Sequence, residues 1–209
     1  MNIIKPTFYI ESEIDGDKIL QLIEKAGRTA YKSEEKISSQ SALDFIKMII
    51  KRGHFSVIEH YSVTVRVICD RGVTHEIVRH RLASYTQEST RYCNYSKGKF
   101  GNELTVIEPC FWDNDSDSDK LKYKIWKETL NKIEESYLEL IKLGASPQEA
   151  RSILPNSLKT EIVMTMNLRE WRHFFDLRTS GAAHPQMREI AIPILAEFKR
   201  KIPIVFDDL

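Results

Sequence analysis

Apolar and polar positions change period several times along the chain. Residues 7–10, TFYI, form a short strand-like run, and DKILQLIEKAGRTAYKS then sets Ile19, Leu22, Ile23 and Ala26 at helical spacing behind Asp17 as N-cap. QSALDFIKMIIKRG predicts a second helix with Leu43, Ile46, Ile49 and Ile50 on one face and Gly53 as its stop. In YSVTVRVICDRG the period falls to two, with Val63, Val65 and Val67 facing one way, which predicts a strand ending at Asp70, Arg71 and Gly72. GVTHEIVRHRLAS predicts a helix over residues 73–84, and the polar stretch from about 85 to 95 a loop or ligand-lined strand.

ELTVIEP predicts a short strand that Pro109 ends, and DNDSDSDK, residues 113–120, an acidic turn that caps the next helix. That long helix, over residues 121–143, turns Ile125, Leu130, Ile133, Tyr137, Leu140 and Ile141 toward the core and stops at Gly144. SPQEARSILP carries a capping box, with Ser146 as N-cap, Pro147 at the first helical position and Glu149 three residues after the cap. KTEIVMTMN alternates as a strand, LREWRHFFDLR returns to helical spacing, and PQMREIAIPILAEFKR supplies a last helix with a kink at Pro193. Trp112, Trp126, Trp171 and the Phe174-Phe175 pair read as packing residues. Helices next to helices and strands next to strands break a regular βαβ alternation, so the expected class is α+β: an antiparallel sheet flanked by helices, one domain over residues 1–209.

Charge then narrows the function. Lys plus Arg total 31 against 30 Asp plus Glu, a formal net charge of +1, so no global field favours nucleic acid or an anionic membrane. Cys69, Cys93 and Cys110 fit neither a disulfide framework nor a zinc-finger pattern, which points to a reducing cytoplasm. No segment approaches the roughly 20 apolar residues of a membrane span.

Against that neutral background, RHRLASYTQESTRY, residues 79–92, concentrates donors: three arginines, a histidine and a series of hydroxyls with one carboxylate, Glu88. Read as helical, Arg79, His80 and Arg81 fan out about 100° apart. Bidentate arginines and short hydroxyls suit a phosphate-bearing ligand, and two differently directed arginines suit two phosphates. Other readings stand beside this one. Basic residues in a last helical turn can simply offset the macrodipole. Interleaving Tyr85, Tyr92 and Tyr95 with Arg79, Arg81 and Arg91 would suit single-stranded nucleic acid. HEIVRH, residues 75–80, resembles a zincin motif but spaces its histidines i and i+5, so no metal site is expected. Ser89 lacks an evident base in sequence, which favours phosphate binding over a nucleophilic role.

Arg79-His80-Arg81, seven residues and Ser89 resemble the R-H-R-x7-S signature of flavin-dependent thymidylate synthase. His54-x-Ser56-x-x-Glu59-His60, EARSILP around Arg151, NLREWRHFFDLR, and His184-Pro185-Gln186 with Glu189-Ile190 resemble further elements of that family, in order, over about two-thirds of the chain. The resemblance implies conversion of dUMP to dTMP, with methylenetetrahydrofolate as one-carbon donor, NADPH-reduced FAD as hydride source and no cysteine nucleophile. It places Ser56, Arg79, His80, Arg81, Asn167 and Arg169 on FAD, with His54, Glu59, His173 and His184 near it. For dUMP it implies Arg79, Gln87, Glu88, Ser89, Thr90, Arg91 and Arg151, with Arg178 facing the uracil ring as the catalytic group. Glu76 and Gln87 stand where many members have an amide and an acid, an exchange that would keep both at the nucleotide. A homotetramer whose sites combine several subunits is also implied.

Overall fold

The computed structural model describes residues 1–112 and 116–209. Residues 113–115, the start of the expected acidic turn, lie outside the described residues. The elements are β1 (Asn2–Ile4), β2 (Thr7–Ile10), α1 (Gly16–Arg28), α2 (Ser41–Lys51), β3 (Ser62–Asp70), α3 (Arg71–Ile77), β4 (Ala83–Gln87), β5 (Thr105–Ile107), α4 (Asp117–Lys142), α5 (Pro147–Ala150), β6 (Lys159–Asn167), α6 (Leu168–Arg178) and α7 (Pro185–Lys201). The expected α+β class holds, with an antiparallel sheet flanked by helices and strand order β2-β3-β6-β4. A separate pair, β1 with β5, is parallel, with Asn2 opposite Thr105.

The chain forms two compact units, one of residues Met1–Thr7, Val67–Arg79 and Thr86–Ile162, the other of Phe8–Arg66, His80–Tyr85 and Val163–Leu209. In the first, Tyr95, Leu104, Tyr137, Ala150 and Leu158 form the core. Helix α4 begins at Ser116, whose hydroxyl accepts from Asp119 N, and buries Leu130 and Tyr137. Ile125, expected inward, is exposed, because this early part of α4 presents Tyr123 and Trp126 to its neighbours instead. The capping box at Ser146 and Glu149 forms as expected, Glu149 accepting from both the backbone and the hydroxyl of Ser146.

In the second unit the core is aromatic. Trp171 stacks on Phe175 at 5.4 Å between ring centroids and packs on Phe198 at 4.8 Å, while Phe206 completes the group against Phe175 and Phe198. Trp171 Nε1 donates to the backbone oxygen of Val63, which satisfies the one polar atom of the ring and ties α6 to β3. Between β3 and β6, Thr64 and Thr165 share a hydroxyl hydrogen bond of 2.8 Å.

Several helix faces differ from expectation. Asp15, not Asp17, caps α1 by accepting from Lys18 N, and Leu20 is buried in place of the half-exposed Leu22. In α2, Ala42, Ile46 and Ile49 are buried and Leu43 is not. Both are rotations of the buried stripe by about one residue, which periodicity alone tolerates. Gly53 and Gly144 end their helices at φ 68° and 95°, as expected of C-terminal stops. The predicted helix over residues 73–84 is the larger correction: α3 ends at Ile77, and residues 83–87 are strand β4, next to β6. Sheet pairing outweighs local helical spacing there.

Gly27, in the last turn of α1, admits close packing: an added Cβ would lie 2.7 Å from the Phe45 ring and 2.8 Å from Val57 Cγ1. The Phe45 ring is itself held beneath the Arg28 guanidinium at 4.9 Å, so it has little freedom to withdraw. Gly27→Ala gains about 1 kcal/mol of helix propensity but overpacks this contact, and we expect a net destabilisation of about 1–2 kcal/mol. Urea unfolding of the variant against the native chain measures the sign directly.

Candidate functional site

The sequence-predicted residues fall into two groups. The first lies along the junction of β6 and α6. Asn167 ends β6 and caps α6, its Oδ1 accepting from Glu170 N at 2.9 Å, and Leu168 N is tied to the Tyr61 carbonyl. The helix then buries Trp171, Phe174 and Phe175 and turns Arg169, His173 and Asp176 the other way, into a cavity of about 860 Å³. Glu59 lines the same cavity and accepts from Arg169 Nη1 at 2.6 Å. Phe55 and Leu82 add apolar wall. His54 and Ser56 are exposed at the 3-10 turn Phe55–His60, Arg81 is exposed beside Leu82, and His184 is exposed at the N-terminus of α7.

His80 is the buried member of this group. Residues 78–82 are not helical, so Arg79, His80 and Arg81 sit on a turn between α3 and β4, with the arginines exposed and the imidazole 4% exposed. The zincin comparison fails on the same geometry, since His75 is exposed on α3 while His80 is buried beyond its end. The His80 ring meets Phe174 edge to face at 5.0 Å and His173 at 5.5 Å. Its Nε2 accepts a 3.0 Å hydrogen bond from Arg178 Nε, its Nδ1 lies 3.4 Å from Glu170 Oε1, and its carbonyl accepts from Tyr85 Oη. Burial first, then the charges of Arg178 and His173, push the His80 pKa down to about 4, so the ring is neutral near pH 7. Burial likewise pushes Tyr85 up to about 12 and raises the Glu170 carboxyl, the latter opposed by His173 and Arg169.

His80, Glu170 and His173 bring ligand-type atoms within 4.8 Å of one another. His80 Nε2 is already committed to the Arg178 guanidinium, whose permanent charge would repel a metal cation at that group. Aromatic and apolar wall from Phe55 and Leu82 beside Arg169, Asn167 and His173 suits instead a ligand with a flat ring system and an anionic tail. FAD has that chemistry, and these residues fit it. Glu170 is the member that sequence reasoning missed. Its place three residues after Asn167 reads as an ordinary capping position, and only its proximity to His80 shows another use.

The second group is centred on the end of β4 and the loop that follows it. Gln87 donates to the hydroxyls of Thr74 and Thr160, and Glu88 accepts from Tyr95 Oη at 2.8 Å and pairs with Lys159 at 2.9 Å. The loop then tightens on Ser89, whose carbonyl accepts from Tyr92 N and Cys93 N and whose Oγ accepts from Arg91 N. Arg151 Nη1 reaches the hydroxyl of the buried Thr90 at 3.5 Å, which sets the exposed Arg151 and Arg91 beside the half-buried Ser89. Glu76 is half-buried on α3, and Arg79 is exposed just beyond its end.

The profile of the thymidylate synthase complementing protein family matches residues 14–204. The chain belongs to that family. It is 36% identical over 181 residues to the flavin-dependent thymidylate synthase of Pyrococcus furiosus, covering 86% of this chain and 72% of that one. To the flavin-dependent thymidylate synthase of Mycobacterium avium it is 35% identical over 208 residues, covering 93% and 81% of the two chains. The fold is shared with a UMP/dUMP methylase PolB from Streptomyces cacaoi, solved with 5-Br UMP and with 5-Br dUMP, at TM-scores of 0.80 and 0.82. Those structures are 20% and 21% identical and cover 99% of this chain and 95% and 96% of theirs.

A neutral, buried His80 has a consequence for stability. Between its ordinary pKa of 6.5 and its lowered value near 4, the unfolded chain binds a proton at His80 that the folded protein does not. The contribution is therefore full above pH 6.5 and is lost as pH falls toward 4, on the order of 3 kcal/mol in all. Denaturant midpoints measured from pH 7 to pH 4 should fall more steeply in the native protein than in His80→Asn.

Proposed function

We propose that this chain is a flavin-dependent thymidylate synthase, converting dUMP to dTMP with methylenetetrahydrofolate as one-carbon donor and NADPH-reduced FAD as hydride source. The observation that carries this reading is the buried, neutral His80 holding Arg178 by a 3.0 Å hydrogen bond, in a chain of this family. When bound, FAD supplies the redox chemistry that completes the new methyl group. Asn167, Arg169 and His173, with the apolar wall of Phe55 and Leu82, would hold it, and Arg79, Arg81, His54, Ser56, Glu59 and His184 belong to the same assignment. Ser89, Arg91 and Arg151 would grip the nucleotide phosphate with a half-buried hydroxyl and two exposed guanidinium groups, and Thr90, buried against Arg151, belongs to the same assignment. Gln87, Glu88 and Glu76 complete the nucleotide assignment.

Arg178 has the chemical role. A guanidinium against the N3/O2 edge of the uracil favours the ionised ring and so raises electron density at C5, where the one-carbon unit must arrive. Two of the three thiols support a route without a cysteine nucleophile: burial pushes Cys69 far up, with Asp70 adding to it, and burial raises Cys93 as well. Nucleic-acid binding is the less favoured reading, since Tyr85 and Tyr95 commit their hydroxyls to His80 and Glu88, leaving Tyr92 exposed beside Arg91. The same reading takes residues 1–209 as one synthase domain, a homotetramer in the cytoplasm that also receives folate and nicotinamide co-substrates. No described helix is long and apolar enough to cross a membrane.

Purified protein incubated with FAD and gel-filtered should retain a flavin spectrum that responds to dUMP, and it should produce dTMP when folate and NADPH are added. A colourless protein indifferent to dUMP would overturn the assignment. Arg178→Ala should keep fold and flavin but lose about 3 kcal/mol or more of transition-state stabilisation, at least a hundredfold in turnover. Full activity in that variant would remove Arg178 from the mechanism.

A further inference from the structure

We propose that Glu170 is a positioning residue for Arg178, acting through His80: by accepting a hydrogen bond from Nδ1–H it sets the imidazole tautomer whose Nε2 accepts from the Arg178 guanidinium. The inference rests on the synthase reading for the importance of Arg178, but its geometry stands apart from it.

A guanidinium nitrogen donates and never accepts, so the 3.0 Å contact from Arg178 Nε requires a lone pair on His80 Nε2. A neutral imidazole with a free Nε2 carries its proton on Nδ1. That atom is buried and has no hydrogen-bond partner of standard geometry among the described residues, and Glu170 Oε1 is the carboxylate oxygen beside it, at 3.4 Å. The distance is longer than an ordinary hydrogen bond, as catalytic contacts often are before ligands bind. Glu170 is itself 7% exposed, and its position is set from the backbone, because Asn167 Oδ1 caps its amide. Phe174 and His173 pack against the imidazole and restrict its rotation. Remove the acceptor at residue 170 and the Nδ1–H form loses its support, while the alternative tautomer would oppose two N–H donors where Arg178 meets His80.

The test uses the FAD-loaded full chain labelled with ¹⁵N-histidine, His80 signals being assigned by their loss in His80→Asn. Native protein and Glu170→Gln, whose amide oxygen still accepts, should show the Nδ1–H tautomer, and Glu170→Leu should lose it. Glu170→Leu should also lower kcat by about ten- to hundredfold, the range typical of outer supporting contacts, with flavin content and KM for dUMP little changed, and Glu170→Gln should restore most of the rate. A purely structural role would not be rescued by Gln with a matching tautomer. An Nε2–H tautomer in the native protein overturns the proposal, as does native kcat in a Glu170→Leu variant whose tautomer has shifted. Should Glu170→Leu fail to fold, the native spectrum and the Glu170→Gln rate decide. Should the native protein make no dTMP, the synthase reading falls, and the tautomer comparison alone judges Glu170.

Discussion

The cap that Asn167 places on α6 is the constraint on which most of the site depends. One side-chain oxygen, 2.9 Å from Glu170 N, turns the last residue of a buried strand into the first turn of a helix. Because β6 is fixed by its buried Thr160, Ile162, Met164 and Met166, the start and axis of α6 are fixed with it. Trp171, Phe174 and Phe175 then fall on the aromatic core, Glu170 and Arg178 stand in the same i, i+4 row as Phe174 beside His80, and Arg169, His173 and Asp176 turn into the cavity. Core packing and site geometry thus share one helix, and Arg178 shares a row of it with Phe174, so a shift that loosens the aromatic cluster would also move the guanidinium.

Electrostatics reinforce that arrangement. His80 is surrounded by Glu170, His173 and Arg178, yet burial and two neighbouring positive groups keep it uncharged. A neutral acceptor holds a guanidinium without cancelling its charge, which a carboxylate partner would do. The pair of Glu59 and Arg169 obeys the opposite logic: both are partly exposed, so the pair is screened and contributes little to stability. Arg169 therefore remains able to exchange its partner for an anionic ligand.

The segment after β4 is organised by different means. Gln87 and Glu88 are drawn inward by Thr74, Thr160, Tyr95 and Lys159, which engage Gln87 Nε2 and both carboxylate oxygens of Glu88. Holding these two residues inward leaves the tight turn at Ser89, with Thr90 buried behind it, to present Arg91 beside Arg151. Exposed guanidinium groups on a chain near-neutral overall give a local positive field without a general attraction for polyanions.

Local chemistry alone determined much of this. The strands 62–70 and 159–167 come from alternation, the cap at Ser146 from its spacing to Glu149, the helix stops from Gly53 and Gly144, and the chemistry-bearing residues from motif order. Where period was ambiguous, only tertiary structure could decide. HEIVRHRLAS satisfies helical spacing, but residues 83–87 pair as β4, which places His80 in a turn and lets it be buried while Arg79 and Arg81 stay exposed. Glu170 reads in sequence as a cap-adjacent carboxylate, and its second partner, His80, lies far off along the chain. Spacing rules see neighbours within a few turns, whereas the contact between Glu170 and His80 exists only because a strand pairing and a helix cap bring two remote segments together.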